Sequence, residues 1–220
     1  MVARQRLPSA TYHSSGDECW TRDVYADQMI AVHARQHAAA DIARHVAEKQ
    51  VSMAPFFVMD VPSVTEAVDL WQTHMDRFNA RYALRCNADP VLAQILAETQ
   101  GMGFEVANDR ELETALSLVD PSKVVYSNPL WTRKTMKRAG DALVGTIVVS
   151  SEKELFDASR LAPYSKVLLA VQMPGCPVRE EAYGCNIGCS VADAVDLLKM
   201  GCPNFDGFSF NVDNTDTAVY

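Results

Sequence analysis

From residue 81 onward, short apolar runs alternate with amphipathic stretches, and this order constrains the fold more than any other feature of the chain. RYALRCN (81–87), GFEVAN (103–108), VVYSN (124–128), GTIVVSS (145–151), KVLLAVQ (166–172) and GFSFNV (207–212) read as strands. Between them, residues 90–100, 109–119, 131–140, 152–161 and 190–200 carry apolar side chains at helical spacing. DRELETALSLV (109–119) opens with its acids, where the helix dipole favours negative charge. A β-α-β-α order of this kind predicts a parallel sheet with helices outside it, either doubly wound or barrel.

Upstream the pattern changes. FFVMD (56–60) reads as a further strand and VTEAVDLWQTHMDRF (64–78) as a helix. Residues 26–49 are alanine-rich with recurring apolar positions, which predicts helix; residues 1 to about 25 are polar without a clear period. The chain is expected to divide into a partly helical N-terminal extension, 1–54, and a β/α domain, 55–220. A Pro/Gly/Cys-containing segment at 173–189 reads as irregular.

Composition narrows the function classes. The chain is 48% apolar and 22% charged, the ordinary globular range, and its formal charge of −8 disfavours general binding to nucleic acid or anionic membrane. No apolar run approaches the ~20 residues needed to span a bilayer. Six cysteines are too sparse for a disulfide scaffold, and MVARQRLPSATYHSS lacks the apolar core of a secretory signal. The expectation is a cytoplasmic protein with reduced thiols.

In parallel α/β folds the chemistry sits at the C-terminal ends of the strands. Those ends carry Arg85, Glu105, Ser127, Asn128, Ser150, Ala170 and Asn211. Arg85 stands out, because a charge in the middle of a short apolar strand needs a polar pocket to face. No glycine-rich dinucleotide or P-loop fingerprint is present. His33 and His37 have metal-ligand spacing on a helix, but without a third ligand a solvated helix face is the commoner meaning. Cys176, Cys185, Cys189 and Cys202 lack the C-x₂-C pair of a zinc site, so no metal is expected. Gly101 and Gly103 fit the turn between a helix and a strand. WTRKTMKRAG (131–140) gathers Arg133, Lys134, Lys137 and Arg138 without an acid, inside an acidic chain. It reads either as a solvated helix face or as a surface that steers an acidic partner.

The sequences FFVMD, YALRCN, GMGFEVANDRE, VVYSNP, a strand followed by SSEKEL, KVLLAV and GFSFNV follow one another as in a known family. In YA-x-x-CN, Y-x-NP and their spacing, residues 55 to 212 resemble eukaryotic ornithine decarboxylase and its non-catalytic relatives, the antizyme inhibitors. The resemblance implies a pyridoxal-phosphate barrel of eight βα units followed by a C-terminal β-domain. About six units match here. The last two strands, the glycine-rich phosphate loop and the β-domain have no counterpart in these 220 residues. The fold class expected is therefore an incomplete (β/α)8 barrel.

The resemblance also assigns roles, and several are altered. Active members place the Schiff-base lysine where this chain has Arg85. Asn211 stands where a histidine stacks on the cofactor ring, and Ala170 where a strand arginine is usual. Glu105 replaces an aspartate, Glu111 matches the family's glutamate, and Asp213 and Asn214 replace small residues near the phosphate. A guanidinium stays protonated at working pH and forms no internal aldimine. This implies a pseudoenzyme without pyridoxal phosphate, regulating polyamine biosynthesis by binding antizyme through Arg133, Lys134, Lys137 and Arg138. The rival readings are a diverged or incomplete pyridoxal-phosphate-dependent decarboxylase of ornithine or another basic amino acid, an inactive partner subunit of an active decarboxylase, and a product with no retained role. Self-association through the open barrel is a further expectation.

Overall fold

The computed structural model describes residues 20–25, 28–33, 39–49, 55–172, 188–202 and 204–211. Contacts divide the chain into two compact units, Met1–Phe78 with Pro90–Gln94, and Asn79–Asp89 with Ile95–Tyr220.

In the first unit, β1 (Trp20–Tyr25) pairs antiparallel with β2 (Gln28–His33), in register from Trp20 opposite His33 to Tyr25 opposite Gln28. This corrects the helix expected across 26–49: among the described residues of that stretch, 28–33 are strand and α1 (Ala39–Lys49) is helical. The β-branched and aromatic residues Trp20, Val24, Ile30 and Val32 favour a pleated pair, whereas alanine dominates only from residue 38. His33 consequently lies on a strand rather than a helix, and His37 lies outside the described residues. FFVMD is likewise not a strand. It runs without regular structure into α2 (Val61–His74), and Asp60 caps that helix by accepting the Ser63 amide at 3.4 Å.

The second unit is a parallel sheet of six strands in chain order: β3 (Arg81–Ala83), β4 (Gly103–Val106), β5 (Val124–Tyr126), β6 (Thr146–Val149), β7 (Lys166–Ala170) and β8 (Phe205–Ser209). Helix α3 (Pro90–Ala97), whose residues 90–94 group with the first unit, follows β3, and α4 (Asp109–Leu118), α5 (Arg133–Asp141), α6 (Glu152–Leu161) and α7 (Val191–Lys199) follow β4 to β7 in the chain. Strands that neighbour in sequence also neighbour in space, which is the order of a β/α barrel rather than of a doubly wound sheet. The expected partial barrel is present.

Register explains why one face is so well buried. Phe104 lies beside Val124, Val106 beside Tyr126, Tyr126 beside Ile147, Ile147 beside Val167, and Val149 beside Leu169. All of these are buried, and they form one continuous apolar face because side chains alternate across a strand. Each covering helix adds a buried pair three residues apart: Leu112 and Ala115, Met136 and Ala139, Leu155 and Ala158, Ala194 and Leu197. Full burial of the larger of these side chains, the size of Val, Leu, Met or Phe, contributes about 1.5–3 kcal/mol each. Glu105, Val125, Thr146 and Leu168 alternate onto the opposite face and are only partly buried. Gly101 takes φ of +81°, a left-handed turn that a β-carbon would strain. Gly103 has a different reason: its Cβ would stand 2.2 Å from the Lys123 carbonyl oxygen, so β4 approaches the start of β5 only without a side chain there.

β3 is shorter than RYALRCN suggests. It ends at Ala83, and Leu84 to Cys86 form a turn. Leu84 is buried although it lies outside the strand, so an apolar run does not reveal where the strand stops. Arg85 therefore sits on the turn that follows the strand, not in its middle.

Among the described residues, β3 and β8 are the two outer strands of this sheet. On β8 and just after it, Phe208 and Phe210 remain 51% and 55% exposed. No described helix is long and apolar enough to cross a membrane.

Candidate functional site

The strand ends of the second unit carry two different polar constellations. The first stands at the exit of β3. The Leu84 amide donates to the Glu105 carbonyl at 3.1 Å, so the turn after β3 continues the β3–β4 ladder by one bond. That bond places Arg85 opposite the Glu105 side chain. One terminal nitrogen of Arg85 meets Oε1 at 2.9 Å and the other donates to Oε2 at 3.2 Å. The side chains are 46% and 27% exposed, so the two-point fork forms at a solvent-accessible edge. Partial burial lowers the Arg85 pKa, but the hydrogen bond and charge of Glu105 outweigh it and leave the guanidinium above its ordinary value.

Glu111, the other carboxylate of this corner, is engaged locally. Its Oε2 accepts the Ala107 amide at 2.8 Å and its Oε1 accepts from the Asn108 side chain, while Asn108 caps α4 by accepting the Glu111 amide. Glu154, in the first turn of α6, likewise accepts the Ser150 amide at 2.7 Å and the Ser150 hydroxyl at 3.1 Å. The glutamates after β4 and β6 therefore start helices.

The second constellation follows β5. The buried Tyr126 hydroxyl donates to Asp109 Oδ1 at 2.9 Å, and the Asn128 amide donates to Tyr126 at 3.4 Å. Burial, and then the Asp109 hydrogen bond, raise the Tyr126 pKa well above the ordinary tyrosine range. The Trp131 ring lies 4.7 Å from the Tyr126 ring, and its Nε1 donates to the Val148 carbonyl at 2.7 Å. Arg138 reaches across from α5 to Asp109 Oδ2 at 3.2 Å and pairs with Glu113.

This changes what the basic stretch presents. Arg133 lies 4.0 Å from the buried Asp157, Lys137 pairs with Asp141 at 2.6 Å, and Arg138 braces α5 to α4. Lys134 is exposed and has no ion pair among the described residues. No local spacing ties Asp109, Glu113 and Asp157 to α5, so the chain order did not show these partners; Asp141 lies one residue beyond the basic stretch, four after Lys137.

The remaining positions are scattered. Ala170 is buried at the end of β7, where its carbonyl accepts the Cys189 amide at 2.9 Å and the Cys189 thiol at 3.3 Å. Asn211 is exposed beyond β8. Asp213, Asn214, Cys176 and Cys185 lie outside the described residues. Among the described residues, no three His, Cys, Asp or Glu gather as a metal site would require.

Residues 61–200 match the family model described as pyridoxal-dependent decarboxylase, pyridoxal binding domain. The chain is 34% identical over 162 residues to ornithine decarboxylase of Panagrellus redivivus, covering 72% of this chain and 37% of that protein. It is 26% identical over 211 residues to ornithine decarboxylase of Caenorhabditis elegans, covering 90% and 49%. It thus spans half or less of the length of these relatives. The arginine decarboxylase of Paramecium bursaria Chlorella virus superposes with a TM-score of 0.67 at 22% identity, over 80% of this chain and 48% of that one, a likeness of fold. Strand order, register and the matched stretch agree: the chain belongs to the pyridoxal-dependent decarboxylase family, through its pyridoxal binding domain.

Proposed function

We propose that this chain is a non-catalytic member of the family that acts on polyamine biosynthesis by binding antizyme. The observation that carries the first half is the two-point Arg85–Glu105 pair. It stands where the resemblance puts the lysine that holds the cofactor. Pyridoxal phosphate, when attached, supplies an electron sink, and attachment requires an amine that can lose its proton. A guanidinium cannot meet that need, and here it is engaged with a carboxylate. In the two residues that follow each parallel strand, Arg85 is the only cation. The donor set does not fit a covalently held pyridoxal phosphate.

The partner half rests on α5. Arg133, Lys134 and Lys137 extend outward, whereas Arg138 is spent on α4. Outward cations of this kind steer an acidic partner surface.

The test is release of labelled carbon dioxide from ornithine, lysine and arginine with pyridoxal phosphate in excess. The expected result is no release above buffer, and turnover overturns the reading. Arg85→Lys alone restores nothing, because Ala170 and Asn211 also depart from the family pattern. Capture by immobilised antizyme, compared with capture by an active decarboxylase, separates the antizyme reading from a partner-subunit role. The exposed Phe205, Phe208 and Phe210 support self-association as well. Light scattering is expected to show concentration-dependent association that Phe208→Ser with Phe210→Ser reduces; a monomer at all concentrations removes this contact.

A further inference from the structure

The acids near Arg85 are not equally available. Both oxygens of Glu111 are committed to the start of α4. Among the described residues, the Glu105 side chain has Arg85 as its hydrogen-bond partner, and both of its oxygens are used on the two terminal nitrogens. The backbone sets this up: Ala83 lies beside Glu105 in the β3–β4 ladder, and the Leu84 amide adds one more bond to the same residue. The carboxylate is thus delivered to the guanidinium by the sheet itself. A guanidinium fork of this kind matches carboxylate and phosphate ligands equally well. An external anion must displace a tethered one, which has paid its positional entropy in folding.

We propose that Glu105 acts as an internal anion that fills the Arg85 fork and shuts this strand-end position to external phosphate and carboxylate ligands. The pair is an autoinhibitory contact. It neutralises the one cation that, among the described residues, lies within two residues after a parallel strand. The inference rests on the non-catalytic reading in taking Arg85 as the residue that faces the site.

The experiment uses the 220-residue chain and inorganic phosphate as the probe, followed through the arginine Nε–H signals and by calorimetry. Wild type is expected to bind phosphate no better than an Arg85→Gln variant. Glu105→Gln, and Glu105→Ala as a second opening variant, are expected to bind it up to about fivefold more tightly, the ratio given by releasing an exposed ion pair of at most ~1 kcal/mol. The gain is expected to vanish in Arg85→Gln/Glu105→Gln. Pyridoxal phosphate is expected to follow phosphate, whereas pyridoxal, which lacks the anion, gains nothing. Circular dichroism establishes that each variant is folded before titration. Equal affinity in wild type and both opening variants overturns the proposal, as does a gain that persists without Arg85. Failure of the non-catalytic reading registers separately, as carbon dioxide release by the wild type.

Discussion

Arg85 and Arg138 both meet carboxylates in the second unit, and they stand in different surroundings. Arg138 closes a chain of contacts that runs from the Val148 carbonyl through Trp131, the Tyr126 ring and hydroxyl, and Asp109. Its partners come from another helix, and a buried tyrosine stands behind them. Arg85 pairs with one carboxylate among the described residues, at a solvent-accessible turn. The difference teaches that what an arginine–carboxylate pair does depends on what it is joined to. Joined to a buried hydroxyl and two helices, it fixes an element in place. Left at an open strand end, it contributes little to stability and instead decides what else can bind.

The largest expected effect breaks the buried side of this comparison. Tyr126→Ala removes the ring that packs on Trp131 and the hydroxyl that holds Asp109, and is expected to cost about 3–5 kcal/mol in urea unfolding. A loss below ~1 kcal/mol would mean that the network is dispensable and the contrast with Arg85 false.

Next in size is charge reversal of the outward cations. Arg133→Glu, Lys134→Glu and Lys137→Glu together are expected to slow antizyme association about tenfold at low salt and flatten its salt dependence. An unchanged rate and salt slope in stopped-flow mixing would reject α5 as the contact surface.

Alkaline titration isolates the hydroxyl. The folded chain keeps Tyr126 protonated at a pH where an unfolded tyrosine ionises, so the unfolded state binds fewer protons there and stability falls as pH rises. This contribution is fully present below about pH 10 and is lost above it, by up to ~1.4 kcal/mol per pH unit. Tyr126→Phe removes the group, so its urea midpoint is expected to fall less steeply between about pH 10 and 11. Parallel slopes would show that the hydroxyl ionises as easily folded as unfolded.

The smallest effect belongs to the exposed pair. Arg85→Gln is expected to change stability by less than ~1 kcal/mol, and by less still in 1 M salt. A larger, salt-insensitive loss would place Arg85 with Arg138 among the structural braces.

The repeating order of strand and helix was legible from the sequence, because a period of two and a period of 3.6 leave different traces in the placement of apolar residues. So were the unusual residues at the strand ends, since the ends of parallel strands converge whatever their sequence. Arg85, Ala170 and Asn211 could be singled out before any coordinate was known. The exit of β3 was not legible, because Leu84 is apolar and buried whether it extends the strand or turns away from it. Nor was β2, where Gln28, Met29 and Ala31 suit a helix and only pairing with β1 makes a strand. The charge presented by α5 depended still more on the tertiary structure. Four cations without an acid read as a free patch along the chain. Packing brings Asp109 and Glu113 against Arg138, and Asp157 near Arg133. Charge is felt through space rather than along the sequence, so the chain alone determined which cations exist, and only the fold decided which of them remain to meet a partner.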